Sequence, residues 1–356
     1  MEPGIKGISG ENQDMKILVT GGAGFIASNF IRYMLSRYPE VSIVNLDALT
    51  YAGNLENLAG LDQHRHVFVK GDVGSVEDVE AVFKKHTFDT VINFAAESHV
   101  DRSLHFGAQV FIRTNIAGTQ VLLDMSRQYG VNRFVQISTD EVYGSLGSAG
   151  KFTETSPIQP NNPYAATKAG ADFLVRAAHK SHGLNAVITR CSNNFGPYQF
   201  PEKLIPLMIA NALENRELPV YGDGMHVRDW IYVADHCTAI DLVMRKAAPG
   251  SIYNIGSDHD VPNLDIVKLV LRILDKPESL IKHVLDRPGH DRRYAMDSGK
   301  IRRELGWKPA LLFEEAMNRT VDWYLKNKAW LDHIRSGEYM KYYETLYHDR
   351  LAGAGR

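Results

Sequence analysis

Short apolar runs alternate with longer amphipathic stretches over the first half of the chain. The runs are rich in Val and Ile and end in polar or glycine residues; they cover 16–20, 41–46, 66–70, 90–94, 133–138 and 186–190. Runs that stay apolar throughout are typical of parallel strands buried on both faces. The stretches between them show helical periodicity over 25–37, 76–86 and 115–129. Repeated strand, helix, strand units predict an α/β fold with a Rossmann-type doubly wound parallel sheet.

The pattern becomes looser after Cys191. A helical stretch over 204–215 is followed by short mixed segments, which predict a smaller mixed α/β lobe. We therefore expect four parts along the chain: a flexible, polar and glycine-rich leader over 1–14, a Rossmann domain over 15–190 to which some later segments return, a second lobe over 191–335, and a C-terminal tail over 336–356.

Composition excludes several classes of protein. The 356 residues are 44% hydrophobic, enough to bury a sizeable core. With 40 basic and 42 acidic residues the formal charge is -2, which lacks the basic excess of nucleic-acid-binding proteins. No stretch approaches the ~20 apolar residues of a membrane helix, and residues 1–14 lack the apolar core of a secretory signal. The two cysteines, Cys191 and Cys237, are too few for a disulfide framework. We expect a cytoplasmic protein with a small ligand and no nucleic-acid or membrane partner.

A glycine-rich turn follows the first predicted strand and opens a helix, in the sequence TGGAGFIA over 20–27. Glycines such as Gly21 and Gly24 let the backbone turn sharply and approach a pyrophosphate, whose charge sits on the helix N-terminus. Asp47 ends the next strand, about 20 residues further on, where an acid would hold the adenosine ribose hydroxyls. A carboxylate there repels a 2′-phosphate, which favours NAD over NADP. Glycine-rich turns also occur as plain loops, so the signal depends on this context.

The third and fourth predicted strands also end in candidate ligand-binding residues. Asp72 and Val73 follow the third strand, and Ala95 and Ala96 follow the fourth. Because the carboxyl ends of parallel strands share one edge of the sheet, we expect these residues and the glycine-rich turn to line one crevice.

Tyr164 and Lys168 are four residues apart on a helix that Asn162 and Pro163 are expected to begin. This spacing puts both side chains on one helix face. An ammonium can lower a tyrosine pKa from about 10 toward neutral pH, which would make Tyr164 a base for a sugar hydroxyl. The alternative is a chance pair on a helix surface, which is common for a lone YxxxK.

Two adjacent carboxylates, Asp140 and Glu141, follow Thr139 directly after the strand over 133–138. If their surroundings separate their pKa values, one can act as an acid and the other as a base, as an elimination of water requires. The structural alternative is an N-cap pair before a turn.

Together these motifs resemble the dTDP-glucose 4,6-dehydratases, in the nucleotide-sugar branch of the extended short-chain dehydrogenase/reductase family. The resemblance spans roughly 15–330 and rests on ordered segments: MKILVTGGAGFIA, LTYAGN, FAAESHVDRS, STDEVYG, PYAATK, CSNNFGPYQFPEKLIP, YGDG, RDWIYV, NIG and DRPGHDRRY. The glycine-rich turn and YxxxK are shared across the family, whereas Thr139, Asp140 and Glu141 distinguish its 4,6-dehydratases from its epimerases.

The resemblance implies a reaction in three steps with bound NAD, converting dTDP-glucose to dTDP-4-keto-6-deoxyglucose and water. Tyr164 would take the proton of the 4-hydroxyl as C4 loses a hydride, with Lys168 lowering the tyrosine pKa and Thr139 bonding the same oxygen. Glu141 would then remove the C5 proton, and protonated Asp140 would donate to the departing 6-hydroxyl.

The resemblance also implies two sets of binding residues and a homodimer through helices near 100–125 and 164–180. NAD would contact Gly21, Gly24, Phe25, Ile26, Asp47, Leu49, Thr50, Asp72, Val73, Ala95, Ala96, Thr114, Tyr164, Lys168 and Asn194. The nucleotide sugar would contact Ser98, Thr139, Glu141, Asn193, Lys203, Leu204, Pro219, Tyr221, Arg228, Asn263, Arg287 and His290. The remaining histidines show no metal-ligand spacing, so we predict no metal site.

Other functions stay open at this point. A UDP-glucose 4,6-dehydratase would share the mechanism, since thymidine and uridine differ by one methyl. A nucleotide-sugar 4-epimerase would share the fold, NAD, Tyr164 and Lys168, but would not need Asp140 and Glu141. A non-catalytic dinucleotide sensor would be expected to lack Tyr164 or Lys168, and both are present.

Overall fold

The structure is a computed structural model that describes residues 14–105, 107–286 and 289–335. The predicted leader, apart from Asp14, and the predicted tail over 336–356 lie outside the described residues.

Seven parallel strands form the main sheet, in the order β10-β6-β5-β4-β1-β2-β3. These strands are β1 (Met15–Thr20), β2 (Val41–Asp47), β3 (His66–Lys70), β4 (Thr90–Asn93), β5 (Arg133–Thr139), β6 (Ala186–Cys191) and β10 (Ile252–Ile255). The smaller sheets contain β7 (Asn193–Phe195), β8 (Leu218–Tyr221), β9 (Val227–Tyr232), β11 (Asp260–Pro262) and β12 (Ile281–Val284). The fold class predicted from the sequence is confirmed.

Helices cover both faces of the main sheet and build much of the second lobe. They are α1 (Phe25–Arg37), α2 (Val76–Lys85), α3 (Val100–His105), α4 (Gln109–Phe111), a π-helix (Ile112–Ala117), α5 (Gly118–Gln128), α6 (Pro163–His182), α7 (Leu204–Leu213), α8 (Val233–Lys246), α9 (Asn263–Ile273), α10 (Gly299–Leu305), α11 (Phe313–Lys326) and α12 (Lys328–Arg335).

The strands are continuous apolar runs in the sequence because apolar clusters cover both faces of the main sheet. On β1, Ile17 and Val19 belong to the cluster that includes side chains of α1 and α8. Leu18 points the other way, into the cluster built with α2 and α5. All three side chains are completely buried. Full burial of such a side chain contributes about 1.5–3 kcal/mol, so helices on both faces are what stabilise the sheet.

The position of the crevice follows from the strand order. β1 pairs with β2 on one side and with β4 on the other, so the chain changes direction across the sheet between β1 and β4. Loops after these two strands diverge at that point and leave an opening above the carboxyl ends of the strands.

The structure differs from the sequence prediction in the helical region before α5. The helix expected over 115–129 starts earlier, at Gln109, and passes through the π-helix before α5. In the π-helix, the Asn115 amide accepts a hydrogen bond from Glu97 N at 2.9 Å and donates to Thr167 Oγ1 at 2.9 Å. An extra residue in one helical turn is typical of functional positions and is not visible in hydrophobic periodicity.

The second lobe combines a three-stranded sheet, β11-β9-β7, and a two-stranded sheet, β12-β8, with α7, α9, α11 and α12. Its apolar cluster includes Met208, Trp230, Val267 and Met317, all at most 4% exposed. The lobe is tied to the Rossmann part by Trp330, whose Nε1 donates to Asn57 Oδ1 at 2.9 Å. The seventh strand of the main sheet, β10, also comes from this late part of the chain.

Within the described ranges, none of the helices combines the length and the apolar composition needed to cross a membrane.

Candidate active site

A cleft of about 530 Å³ opens at the carboxyl ends of β1, β2, β4, β5 and β6. All five residues predicted to be catalytic line it, with 14 of the 15 predicted for the cofactor; the exception among these described residues is Leu49. Of those predicted for the nucleotide sugar, the cleft is lined by Ser98, Thr139, Glu141, Asn193 and Lys203.

The glycine-rich turn is shaped to let a ligand approach the backbone. Gly21 has φ +70°, and a Cβ on it would lie 2.8 Å from Ala95 Cα, so no other residue fits without moving the backbone that follows β4. Gly24 is the N-cap of α1 in an extended conformation, and no side chain caps the helix. The N–H groups of the first turn therefore face the cleft without a side-chain acceptor, as a pyrophosphate site requires.

Asp47 ends β2 at the expected ribose position. Its Oδ2 accepts a hydrogen bond from Ala23 N at 2.8 Å, and its Oδ1 accepts one from Leu49 N at 2.7 Å. Burial raises the pKa of this carboxyl, and the two backbone hydrogen bonds oppose that shift. Leu49, with φ +54°, takes part through its backbone N–H, and its side chain does not line the cleft. The glycine-rich turn and Asp47 thus fit a dinucleotide.

Helix α6 carries the predicted tyrosine and lysine. Asn162 caps it by accepting from Ala165 N at 2.8 Å, and Pro163 occupies the first helical position, as the sequence predicted. Tyr164 is 8% exposed and Lys168 is 3% exposed. The Lys168 ammonium donates to the Ile137 carbonyl oxygen at 2.7 Å.

The electrostatics of this pair differ from the expectation that Lys168 lowers the tyrosine pKa. Burial raises the pKa of Tyr164 well above its usual range, the Glu141 carboxylate adds to this, and a hydrogen bond with Thr139 opposes it. Burial also lowers the pKa of Lys168. Desolvation therefore decides the direction of the Tyr164 shift in this structure, and the lowering of the tyrosine pKa by Lys168 stays a prediction.

Thr139, Asp140 and Glu141 form a tight turn at the end of β5. Thr139 Oγ1 accepts from Glu141 N at 3.3 Å and caps a short 3-10 helix over Asp140–Tyr143, so the cap is Thr139 and not the carboxylate pair. Asp140 is 2% exposed, and its Oδ2 has no hydrogen-bond partner. Burial and then the Glu141 charge raise the pKa of Asp140 to about 8. Glu141 Oε2 instead accepts from Asn162 Nδ2 at 3.2 Å. The neighbouring carboxyls therefore have different surroundings.

Asn194, on β7, is held by a buried histidine that sequence reasoning missed. His236 Nδ1 lies 2.8 Å from Asn194 Oδ1, and Asn194 Nδ2 donates to Ser192 O at 3.0 Å. His236 is completely buried, which lowers its pKa to about 3, so the ring is neutral and donates from Nδ1. His236 lies on α8, 42 positions after Asn194, and no local sequence motif marks it as a contact of that residue.

A second group of missed residues lies near Lys203. The Lys203 ammonium donates to Ser98 O at 3.1 Å. Beside it, Glu202 accepts from the Tyr51 hydroxyl at 3.0 Å, and burial raises the Glu202 pKa to about 7. Glu202 and Gln199 also line the cleft. The sequence identified the segment that contains them but did not indicate these two residues.

The other residues predicted for the nucleotide sugar lie in the second lobe, outside the cleft lining: Leu204, Pro219, Tyr221, Arg228, Asn263 and His290. Arg287 lies outside the described residues. Arg228 is 5% exposed, and its Nη2 donates to Asp291 O at 2.8 Å. The rings of Tyr221 and His290 meet edge to face, with centroids 6.0 Å apart.

His226, Asp286 and His290 could supply metal ligands by residue type, and they are the one such group in the described ranges. The two imidazole rings stack in parallel with centroids 3.7 Å apart, and each bonds its own oxygen of Asp286, at 3.2 and 2.6 Å. Each of these ring nitrogens already lies within hydrogen-bond distance of a carboxylate oxygen, so hydrogen bonding accounts for the group.

Comparison with known proteins agrees with the chemistry of the cleft. The GDP-mannose 4,6 dehydratase family matches residues 18–320. The chain is 52% identical over 341 residues to the dTDP-glucose 4,6-dehydratase of Xanthomonas campestris pv. campestris (strain B100), covering 90% of this chain and 96% of that one.

Solved structures of dTDP-glucose 4,6-dehydratases are also similar to this chain. The dTDP-glucose 4,6-dehydratase of Bacillus anthracis str. Ames in complex with NAD is 47% identical, with a TM-score of 0.84 over 90% of this chain and 99% of that one. A double mutant of the enzyme from Streptomyces venezuelae, solved with NAD and a TDP-sugar, is 47% identical, with a TM-score of 0.86 over 90% of this chain and 100% of that one.

Proposed function

The chain belongs to the GDP-mannose 4,6 dehydratase family, and from that membership we propose that it has the activity of its dTDP-glucose 4,6-dehydratase relatives. It converts dTDP-glucose to dTDP-4-keto-6-deoxyglucose and water by oxidation at C4, elimination across C5 and C6, and reduction at C6. It is an NAD-dependent hydro-lyase, and no net oxidation occurs over the cycle.

The observation that carries this proposal is the different surroundings of two adjacent carboxyls. With a pKa of about 8, Asp140 keeps its proton at neutral pH, while Glu141 accepts a hydrogen bond from Asn162. Elimination of water from a 4-keto sugar needs an acid for the 6-hydroxyl and a base for the C5 proton. A 4-epimerase needs neither group, so the pair favours the dehydratase.

Tyr164, Lys168 and Thr139 serve the oxidation at C4. Tyr164 takes the proton of the 4-hydroxyl, and Thr139, which bonds the tyrosine, holds the same oxygen. Because burial disfavours a phenolate, the Lys168 ammonium on the same helix face is needed to stabilise it. NAD, when bound, accepts a hydride from C4 and later returns it to C6.

Asp140 and Glu141 serve the elimination. The 4-ketone acidifies the C5 hydrogen, and Glu141 removes it as a base. Asp140 gives its proton to the departing 6-hydroxyl, which leaves as water. Because Asp140 is 2% exposed, bulk water has little access to its proton before the substrate arrives.

The binding residues complete the proposal. The domain over 15–190, with β10, holds NAD through 14 of the 15 residues named for it above. The lobe over 191–335 supplies the remaining one, Asn194, and holds the nucleotide diphosphate. Lys203 and Arg228 supply positive charge, as a pyrophosphate requires. Tyr221, Asn263 and His290 lie in the same lobe and stay predicted contacts.

A homodimer is also part of the proposal. On α6, four small or apolar residues at helical spacing are exposed or half-exposed: Ala166, Gly170, Phe173 and Ala177. Phe173 is 52% exposed, and Val110 and Ile112, next to α6 in the π-helix region, are 45% and 41% exposed. An apolar surface across adjacent helices is typical of a subunit interface.

A cytoplasmic location is the last part of the proposal. Cys191 and Cys237 are both free and buried. Unpaired thiols are usual for proteins of a reducing compartment.

The test is to incubate the purified protein with dTDP-glucose and, separately, UDP-glucose, and to follow the sugar by mass spectrometry. Loss of one water from dTDP-glucose alone would support both reaction and nucleotide. Loss from UDP-glucose would reassign the nucleotide, a new stereoisomer of unchanged mass would indicate an epimerase, and no change with either would contradict the proposal.

A further inference from the structure

A buried polar network lies behind the cleft, and the proposed reaction uses none of its side chains. Its members are Tyr143, Asp172, Arg190 and Asn254, each at most 3% exposed and none of them lining the cleft. Burying charged and polar groups is unfavourable unless they are paired, so a network of this kind calls for a physical explanation.

Arg190 is the centre of the network. Its Nε donates to Asp172 Oδ2 at 2.9 Å, and its Nη1 donates to the Tyr143 hydroxyl at 2.9 Å. The Tyr143 hydroxyl in turn donates to Asn254 Oδ1 at 2.7 Å. The guanidinium carbon also lies 4.9 Å from the centroid of the Tyr143 ring.

The two partners of Arg190 belong to the two elements that carry the proposed chemistry. Tyr143 is the last residue of the 3-10 turn that begins with Asp140. Asp172 is one helical turn after Lys168 on α6. Arg190 itself pairs across the sheet with Ser138 on β5 and with Asn254 on β10. One guanidinium therefore joins the acid-base turn and the tyrosine-lysine helix to the same row of the sheet.

Stability alone is a weak explanation for this arrangement. Removing two charges from water costs about as much as their attraction returns, and buried ion pairs can often be replaced by apolar residues without loss. What a planar, five-donor guanidinium supplies is fixed direction, because it bonds two acceptors at once in a rigid geometry.

We propose that Arg190 is a positioning residue that sets the acid-base turn against the tyrosine-lysine helix, with Tyr143 as its contact to the turn and Asp172 as its contact to the helix. The proposal rests on the dehydratase function. The same hexose must first meet Tyr164 and then Glu141 and Asp140, so the distance between the two elements decides whether the ketone formed in the first step is placed for the second.

Tyr143→Phe tests the contact of Arg190 with the turn separately from its contact with the helix. It keeps the ring and its stacking on Phe152, at a centroid distance of 4.9 Å, and leaves the Arg190 and Asp172 ion pair in place. It removes only the hydroxyl that holds the turn. We expect elimination to slow while oxidation at C4 continues, so that reduced nicotinamide accumulates when substrate is added.

The matched control is Tyr253→Phe. Tyr253 is 1% exposed and precedes Asn254 on β10, but it lies outside the network. The variant also loses one hydrogen bond of a tyrosine hydroxyl, the partly buried one to Glu304 Oε2 at 2.7 Å. A purely structural role for Tyr143 predicts that both variants behave alike.

The experiment compares the two variants and the wild-type enzyme with dTDP-glucose in steady-state and single-turnover assays. We expect Tyr143→Phe to lower kcat by about 10- to 100-fold, the range for a misplaced catalytic group, to change KM by less than about threefold, and to show an absorbance transient of reduced nicotinamide. Tyr253→Phe should lack the transient and keep kcat within about twofold of wild type.

Equal kcat values for the two variants, or a loss of activity without the transient, would overturn the proposal. If Tyr143→Phe does not fold, Arg190→Lys keeps the positive charge beside Asp172 but cannot bond Asp172 and Tyr143 together in the fixed guanidinium geometry, and the same comparison applies. A wild-type enzyme that forms no product would instead overturn the proposed function.

Discussion

At the scale of single residues, burial gives Asp140 the property that its proposed chemical role requires. An ordinary aspartate has a pKa near 4 and would have no proton to give at neutral pH. Burial and the adjacent Glu141 raise the Asp140 pKa to about 8, so the acid stays protonated below that value and loses its proton as pH rises through it. The acid form is therefore present across the neutral range.

This gives a prediction for pH dependence. The rate of elimination should fall as pH rises through about 8, approaching tenfold for each further pH unit, because only the protonated Asp140 can donate. Asp140→Asn should spare oxidation, slow elimination by about 100-fold or more and lose this alkaline limb. The check is a single-turnover pH profile with product analysis by mass spectrometry. An Asp140→Asn enzyme with full turnover would show that the acid is another group.

Tyr164 gives a second prediction at this scale. Tyr164→Phe removes the hydroxyl that accepts the proton of the 4-hydroxyl, so oxidation should fall by about 100-fold to 10,000-fold. The measurement is the absorbance of reduced nicotinamide after substrate is added, which should be undetectable. Accumulation at the wild-type rate would exclude Tyr164 as the base.

Gly21 gives a third prediction at the scale of single residues. Gly21 and Gly60 both have positive φ, so alanine costs backbone strain of about 1 kcal/mol at either position. Only at Gly21 would the new Cβ also meet a backbone, 2.8 Å away at Ala95, whereas at Gly60 nothing lies within 4 Å. We expect Gly21→Ala to weaken NAD binding about tenfold or more and Gly60→Ala to leave it unchanged, by calorimetry. Equal affinities would contradict a role for the turn in binding.

At the scale of elements, α6 is joined to the acid-base turn by its own cap. Asn162 accepts from Ala165 N through Oδ1 and donates to Glu141 through Nδ2. The same side chain thus caps the beginning of the helix and contacts the proposed base. The buried guanidinium of Arg190 joins the same two elements from behind.

Asn162→Ala should therefore affect both stability and chemistry. Loss of the cap should cost about 1 kcal/mol, read as a lower Tm, and the unrestrained Glu141 should slow elimination about tenfold. Ser75→Ala is the control, because Ser75 caps α2 by accepting from Asp78 N at 3.2 Å, away from the cleft. If both variants lose the same stability and neither loses activity, the contact with Glu141 has no catalytic importance.

At the scale of the whole molecule, two lobes meet around one cleft. Main-sheet residues such as Asp47 and Thr139 form one side, and residues after β6, such as Asn193 and Lys203, form the other. β10 comes late in the chain but completes the main sheet, so the two lobes do not correspond to two separate stretches of sequence. The exposed surface of α6 is the proposed contact with a second subunit.

A charge on that surface tests the dimer. Phe173→Lys should convert a dimer to monomers, because two buried ammonium groups would face an apolar interface. Leu325→Lys is the control, since Leu325 is 40% exposed on α11 and lies in the other lobe. Light scattering during size-exclusion chromatography gives the mass of each variant. A wild-type monomer, or a Phe173→Lys dimer, would contradict the proposed interface.

Local patterns in the chain were enough to predict the Rossmann fold, the first six strands of the main sheet to within about one residue, the cap and first residue of α6, and a catalytic set that the fold brings to one cleft. These features follow from periodicity, from glycine and proline chemistry, and from the position of polar residues at strand ends, all of which act over a few neighbouring residues.

Other features required the three-dimensional arrangement. Burial depends on which distant segments cover a residue, so the raised pKa values of Asp140 and Tyr164 and the neutral state of His236 could not be derived from their neighbours in sequence. The same holds for β10 and for the bonds of Arg190, whose partners lie 18 and 47 positions away. Desolvation and long-range hydrogen bonds are properties of packing, and packing exists only in the folded chain.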